Sequence, residues 1–416
     1  MNILYIGIAQ KSNPAIATFS KSLLRSLRIL HHTVYIYGDK LFCEYFVNQE
    51  IISSDNITKK DWDIVIIQNS LCFLLYQLIM KYLRKFPIIF VSCIDDNTGY
   101  IAPFDNLYAV LSVGEADLTH WSIPVELNKA MKVPVKISGN YYRYEEQPDY
   151  YELVYFPVKN STSKIDSKIL NLINYNNCRL TVIGGEYKVL KPAINSKIRI
   201  VSDKQSLSAF KKAHLVMASG YQAIQAITLC KPCVIVGDHG LGGRITTENY
   251  ELFKKYGFRG RAGASSDEFI PFDLLCAEIK QALSTSYEND MISLRDLVIA
   301  DGYSYHCFHR NISRIIDHVR KLYLYLHDKN LSKSLKPCLS SIFSIQKMNN
   351  KSIIKCGQIL FDEVDEDMLA LLRQCNGKQT IEDIMIKNGY DLDNVPIFTH
   401  SILELWKKKI IVFNPF

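Results

Sequence analysis

The stretch AHLVMASGYQAIQAITLCKPCVIVGDHGLGGR, Ala213 to Arg244, constrains this chain more than any other. Two short apolar runs, Leu215 to Met217 and Cys233 to Val236, flank a segment in which Ile224, Ile227 and Thr228 recur at helical spacing, which predicts strand, helix, strand. Ser219-Gly220 falls between the first strand and the helix, where a glycine lets backbone N–H groups approach a ligand and a helix N-terminus favours negative charge. Pro232 ends the helix, and Gly240, Gly242 and Gly243 predict a turn after the second strand. The unit reads as one βαβ step of an open parallel sheet. Ligands of such sheets bind at the carboxyl ends of the strands, although most strand-Gly-helix turns bind nothing.

The same alternation runs through the chain, and 416 residues suffice for two or three domains. An apolar run from Asn2 to Ile8, a polar turn from Gln10 to Pro14, and leucines Leu23, Leu24, Leu27 and Leu30 predict strand, turn and helix. Strands follow at Thr33 to Tyr37, Ile64 to Gln68, Pro87 to Ser92 and Ala109 to Val113, with a helix over Leu74 to Arg84. This is one Rossmann-like domain, residues 1–145. A second cycle occupies residues 146–326: strands Leu153 to Pro157, Arg179 to Ile183 ending in Gly184-Gly185, and Ile198 to Val201, helices Ser167 to Leu172 and Leu207 to Lys212, then the stretch described first. Helical patterns close it, the last over Ile312 to Leu326. No G-x-G-x-x-G follows the first strand, so a dinucleotide is not signalled.

Residues 327–340 are rich in lysine and serine and read as a linker. Residues 341–416 then predict short strands at Ile342 to Ile345, Ser352 to Cys356 and Gln358 to Phe361, a helix opened by Met368, Leu371 and Leu372 and stopped at Asn376-Gly377, and a second helix capped by Thr380 with Asp383. Phe398, Ile402, Leu405 and Trp406 mark a third. The expected fold class is therefore α/β, two Rossmann-like domains plus a small C-terminal winged-helix-like α+β domain.

Apolar residues at 48% and charged residues at 22% describe a globular chain. The net charge of +7 is spread rather than blocked, which suits a nucleotide or an acidic peptide and does not mark a nucleic-acid partner. No apolar run reaches the roughly 18 residues of a membrane span, and MNILYIGIAQK opens as a strand rather than a signal sequence, so a cytoplasmic location is expected. The 11 cysteines lie mostly inside apolar runs, as reduced thiols do. Cys230 and Cys233 have no second pair at metal spacing, and His306, Cys307 and His309 run into a helical pattern; no metal is expected.

The order of elements over about residues 1 to 325 resembles the group 1 glycosyltransferases of GT-B architecture. LSAFKKAHLVMAS at Leu207 to Ser219 is similar to the family's helix and strand entering the donor site. QAITLCKP at Gln225 to Pro232 stands where the family has Glu-Ala and then Gly-Lys-Pro or Gly-Thr-Pro. VKNSTSKID at Val158 to Asp166 resembles the segment that supplies the family's phosphate-binding Arg and Lys, here Lys159 and Lys164, and AVLSVGEADL at Ala109 to Leu118 resembles an acceptor-domain strand. The resemblance implies a nucleoside-diphosphate sugar as donor, held without a metal by Lys159, Lys164, Gly184, Ser219, Gly220 and Gln225, with Gly240, Gly242, Gly243 and Arg244 on the next loop. Asp95, Asp96 and His120 are the candidate bases for the acceptor in an inverting transfer. The departures are specific: the family's paired glutamates would fall at Met217 and Gln225, and a histidine of many relatives is here Gln68.

The segment DEDMLALLRQCNGKQTIEDIMIKNGY with SILELWKKKIIVF resembles the PqqD-like domains that bind leader segments of ribosomally made peptides. That resemblance implies strand addition of an extended peptide beside the hairpin at Ser352 to Phe361 and the third helix, Phe398 to Trp406. Glu404 within that helix argues against DNA binding. Together the modules imply sugar transfer to a precursor peptide. A degenerate scaffold presenting a peptide to other maturation enzymes, or transfer to a small molecule or polysaccharide with the last domain as a dimerisation module, are the alternatives.

Overall fold

The computed structural model describes residues 1–9, 14–44, 46, 50–69, 71–93, 106–113, 127–135, 137, 149–157, 169, 177–184, 197–202, 206–264, 271–284, 288–328, 330–348, 351–356, 359–390 and 395–413. They form two compact units, one of Met1–Lys132 with His309–Phe416 and the other of Val133–Phe308.

The first unit is built on strands β1 (Asn2–Gly7), β2 (Thr33–Gly38), β3 (Glu50–Ile51), β4 (Ile64–Gln68), β5 (Ile88–Cys93), β6 (Leu107–Val113) and β7 (Asn128–Met131), in the order β3-β2-β1-β4-β5-β6-β7. Every pairing is parallel. Parallel strands need both faces covered, which is why β4 and β6 are mainly apolar, apart from Gln68 and Ser112, and are buried at every position. Helix Pro14–Ile29 covers one face with Phe19, Leu23 and Leu27. The helix expected from Leu74 to Arg84 is instead two, Leu71–Leu75 and Gln77–Leu83. Tyr76 breaks the run at φ −117°, ψ 35°, and its ring packs edge-on to Tyr37 at 5.0 Å.

The second unit holds β8 (Tyr151–Tyr155), β9 (Cys178–Ile183), β10 (Ile198–Val201), β11 (Leu215–Ala218), β12 (Cys233–Gly237) and β13 (Gly240–Arg244), in the order β10-β9-β8-β11-β12-β13. The first five are parallel and β13 is antiparallel to β12. The glycines expected in a turn therefore lie in an edge strand, formed because Asp238 and His239 reverse the chain and bring Val234 opposite Arg244. Helix Gly220–Thr228 buries Ala223, Ile224, Ala226, Ile227 and Thr228.

The stretch that reads as a linker contains regular elements. Ser332–Ser334 is a single 3₁₀ turn and β14 (Pro337–Leu339) is a strand, with Ser332, Leu335 and Ser340 buried. Strands β15 (Phe343–Met348), β16 (Lys351–Cys356) and β17 (Ile359–Val364) make an antiparallel meander, near the three positions where short strands are expected. Helices Glu366–Gln374, Ile381–Lys387 and Val395–Lys407 follow, and β18 (Ile411–Phe413) returns antiparallel to β14. Asp365 caps the first helix, and Thr380 and Asp383 form a reciprocal capping box on the second. This segment packs on the first sheet. The Tyr108 ring of β6 lies 5.0 Å from Trp406 and 6.0 Å from Tyr323 of helix Tyr305–His327.

Candidate functional site

In a doubly wound sheet, the loops that leave two neighbouring strands in opposite directions open a crevice at the strands' carboxyl ends. Strand order in the second sheet runs from β8 outward through β9 and β10 on one side and through β11 and β12 on the other, so the switch lies between β8 and β11. The residue that leaves β11 is Ser219. Its backbone is extended at φ −130°, ψ 163°, its side chain makes no capping hydrogen bond to the helix, and Gly220 opens helix Gly220–Thr228 with φ +53°. A left-handed first residue turns the strand into the helix, and L side chains tolerate that conformation poorly.

A turn from the next part of the chain closes over this point. Phe258, 1% exposed, anchors it, and its carbonyl accepts the Gly220 N–H at 2.9 Å. His239 N–H donates to the Arg259 carbonyl at 3.1 Å and Arg261 N–H to the His239 carbonyl at 3.0 Å. Gly237, the last residue of β12, permits the approach: a Cβ there would stand 1.9 Å from the Arg259 carbonyl oxygen. The Arg259 Nε donates to Asp238 Oδ2 at 3.1 Å, and the guanidinium is about half exposed. The rim thus carries Ser219, Asp238, His239, Arg259 and Arg261. Arg259, Arg261, Asp238 and His239 were not among the residues expected from the sequence; the signal was the phrase FRGRAG, two arginines set among glycines.

The remaining expected residues separate. Gly184 follows β9 with φ +77°, and its N–H is taken by the Val201 carbonyl at 2.9 Å. Gln225 is half-buried in helix Gly220–Thr228, beyond its first turn. Gly242, Gly243 and Arg244 are not on a loop but in β13, where the Glu278 carboxylate accepts the Arg244 N–H at 2.7 Å and lies 3.2 Å from where a Cβ of Gly243 would be. Lys159, Lys164, Asp95, Asp96 and His120 lie outside the described residues.

The departures from the glycosyltransferase pattern have structural causes. Met217 is an inward side chain of β11, fully buried in the apolar core. Gln68 ends β4 at 1% exposure, and its Oε1 accepts the Ser20 hydroxyl at 2.7 Å and the Tyr5 hydroxyl. Between Cys230 and Cys233, Lys231 is 2% exposed and its Nζ donates to the Lys211 carbonyl at 3.0 Å and the Ala213 carbonyl at 2.8 Å. Burial pushes Lys231 down to about 7 and both cysteine thiols up. Lys231 thus ties the end of helix Ser206–Lys212 to the turn that precedes β12. Among the described residues no group of three or more His, Cys, Asp or Glu is placed to hold a metal ion, and no helix is long and apolar enough to cross a membrane.

Two Rossmann-like sheets, parallel except for β13, have the architecture of the GT-B fold, and the small antiparallel sheets follow them. Solved structures similar to it include Anabaena Alr3699/HepE in complex with UDP, at 12% identity over 76% of this chain and 100% of that one, TM-score 0.53. The same protein in complex with UDP-glucose gives 11% identity over 76% and 99%, TM-score 0.51. The glycotransferase of kitacinnamycin gives 12% identity over 76% and 99%, TM-score 0.50. No protein-family model matches the sequence, and no curated protein matches it.

Proposed function

We propose that the chain is a glycosyltransferase that takes a sugar from a nucleoside-diphosphate donor and transfers it to a ribosomally made precursor peptide. The observation that carries the donor half is the position of Ser219-Gly220 beside the switch of the second sheet, under a turn bearing Arg259 and Arg261. Departure of the sugar leaves negative charge on the diphosphate. Arginines, the lysines Lys159 and Lys164 and a helix start offset that charge without a metal. UDP, bound by Alr3699/HepE, is the donor fragment to try first. Asp95, Asp96 and His120 are proposed as the groups that deprotonate the acceptor.

The acceptor half rests on the C-terminal segment. Its meander β15-β16-β17 pairs no further strand on either side among the described residues, so an extended peptide can add to an edge through main-chain hydrogen bonds. The third helix contributes less than the sequence suggests, because Ile402, Leu405 and Trp406 are buried and Trp406 covers Tyr108. A second reading follows from Met217: with a buried thioether where the family has an acid, the fold can serve as a scaffold that binds without transferring.

Calorimetric titration of UDP into the full chain tests the donor half. Saturable binding weakened about tenfold in Arg259→Gln is expected, since the change removes one cation and releases the Asp238 carboxylate from its pair. No binding at millimolar UDP, ADP, GDP, CDP or TDP overturns the transferase and leaves the scaffold. Mass spectrometry of peptides that co-purify with the full chain tests the acceptor half: one enriched encoded peptide supports it, and an unenriched background ends it.

A further inference from the structure

A hollow of about 370 Å³ lies in the first unit between edge strand β7 and helix Tyr305–His327. Its origin is local. Ala109 on β6 and Ala130 on β7 are too short to fill the space beside the sheet edge. On the helix, Asn311, Arg314, Ile315 and His318 stand at the spacing that puts four side chains on one face. The floor is apolar, with Ala109, Met131 and Ile315, and the polar wall is Lys129, Asn311, Arg314 and His318. Basic groups thus come from both sides, Lys129 from the strand and Arg314 and His318 from the helix. The Lys129 charge is felt at His318, whose imidazole is held below its ordinary value first by burial and then by Lys129 and Lys321.

We propose that this hollow binds a small phosphate monoester, its phosphate between Lys129, Arg314 and His318 and its apolar body on Met131 and Ile315. A tetrahedral dianion suits cations converging from two elements, and the volume is that of a small-molecule site. Every lining residue belongs to the first unit, whereas Ser219, Gly220, Arg259 and Arg261 belong to the second. The two proposed sites therefore share no lining residue.

Phenyl phosphate is a probe with the required anion and a small apolar body. Titrated into the full chain by calorimetry, it should bind saturably with one site per chain, and benzyl alcohol, which lacks the charge, should not. Arg314→Gln and Lys129→Gln should each weaken phenyl phosphate about tenfold, the loss of one charge-assisted contact. Arg314 is exposed, so its replacement should leave the melting temperature unchanged. No saturable heat, equal binding of benzyl alcohol, or phenyl phosphate binding unaffected by both substitutions would overturn the assignment.

Discussion

Lys231 shows how a residue can sit inside a recognisable motif and do something the motif does not describe. Read along the sequence it is the spacer of a Cys-x-x-Cys; in the fold its amine is buried and caps the carbonyls of Lys211 and Ala213. An amine lowered to about 7 when folded and near 10.5 when unfolded binds fewer protons in the native state between those values. Its contribution to stability therefore rises as pH climbs through that window, by at most about 1.4 kcal/mol per pH unit. Below pH 7 both states hold the proton, and the folded chain must keep an ammonium out of water. Urea unfolding of the parent and Lys231→Met at pH 7 and pH 9 should show the parent gaining on the variant with pH; a constant difference would refute the assignment. Ser219 and Gly220 were legible as the turn between a strand and a helix. Arg259, Arg261 and Asp238 were not legible beside that turn, because what joins them to Gly220 is a set of backbone hydrogen bonds between distant positions.

At the scale of elements, strands were legible wherever burial on both faces forces a mainly apolar run, as in β1, β4 and β11. They were illegible where the sheet edge relaxes that demand. Strand β7 reads Asn-Lys-Ala-Met and β13 reads Gly-Leu-Gly-Gly-Arg, and neither has the β-branched or aromatic residues that announce a strand. Both are recruited by a neighbour already in place. The hairpin between β12 and β13 and the turn at Phe258 share one point of closest approach, at Gly237. Gly237→Ala puts a methyl group into the Arg259 carbonyl, which is backbone and cannot swing aside. It should cost roughly 1–3 kcal/mol in chemical unfolding and weaken UDP binding by displacing the turn from Gly220. Unchanged stability and binding would mean that the turn does not depend on this contact.

At the scale of the whole molecule, the chain order and the spatial grouping differ. Residues 309–416 join residues 1–132 in one unit, an arrangement invisible in sequence because its aromatic contact pairs positions 108 and 406. Replacing Trp406 by Ala should therefore act on the first sheet as well as on its own helix. About 3–5 kcal/mol is expected from so large a buried side chain, seen as a lower unfolding midpoint and faster proteolysis within residues 1–132. Protection of that sheet equal to the parent's would show the contact to be incidental. The pairing of β14 with β18 has a consequence for how this molecule is made. During synthesis Pro337–Leu339 leaves the ribosome ahead of Ile411–Phe413, so late in translation the newborn chain carries an open strand edge and a Tyr108 that Trp406 does not yet cover. A nascent-chain chaperone would find both on every copy until the closing strand emerges.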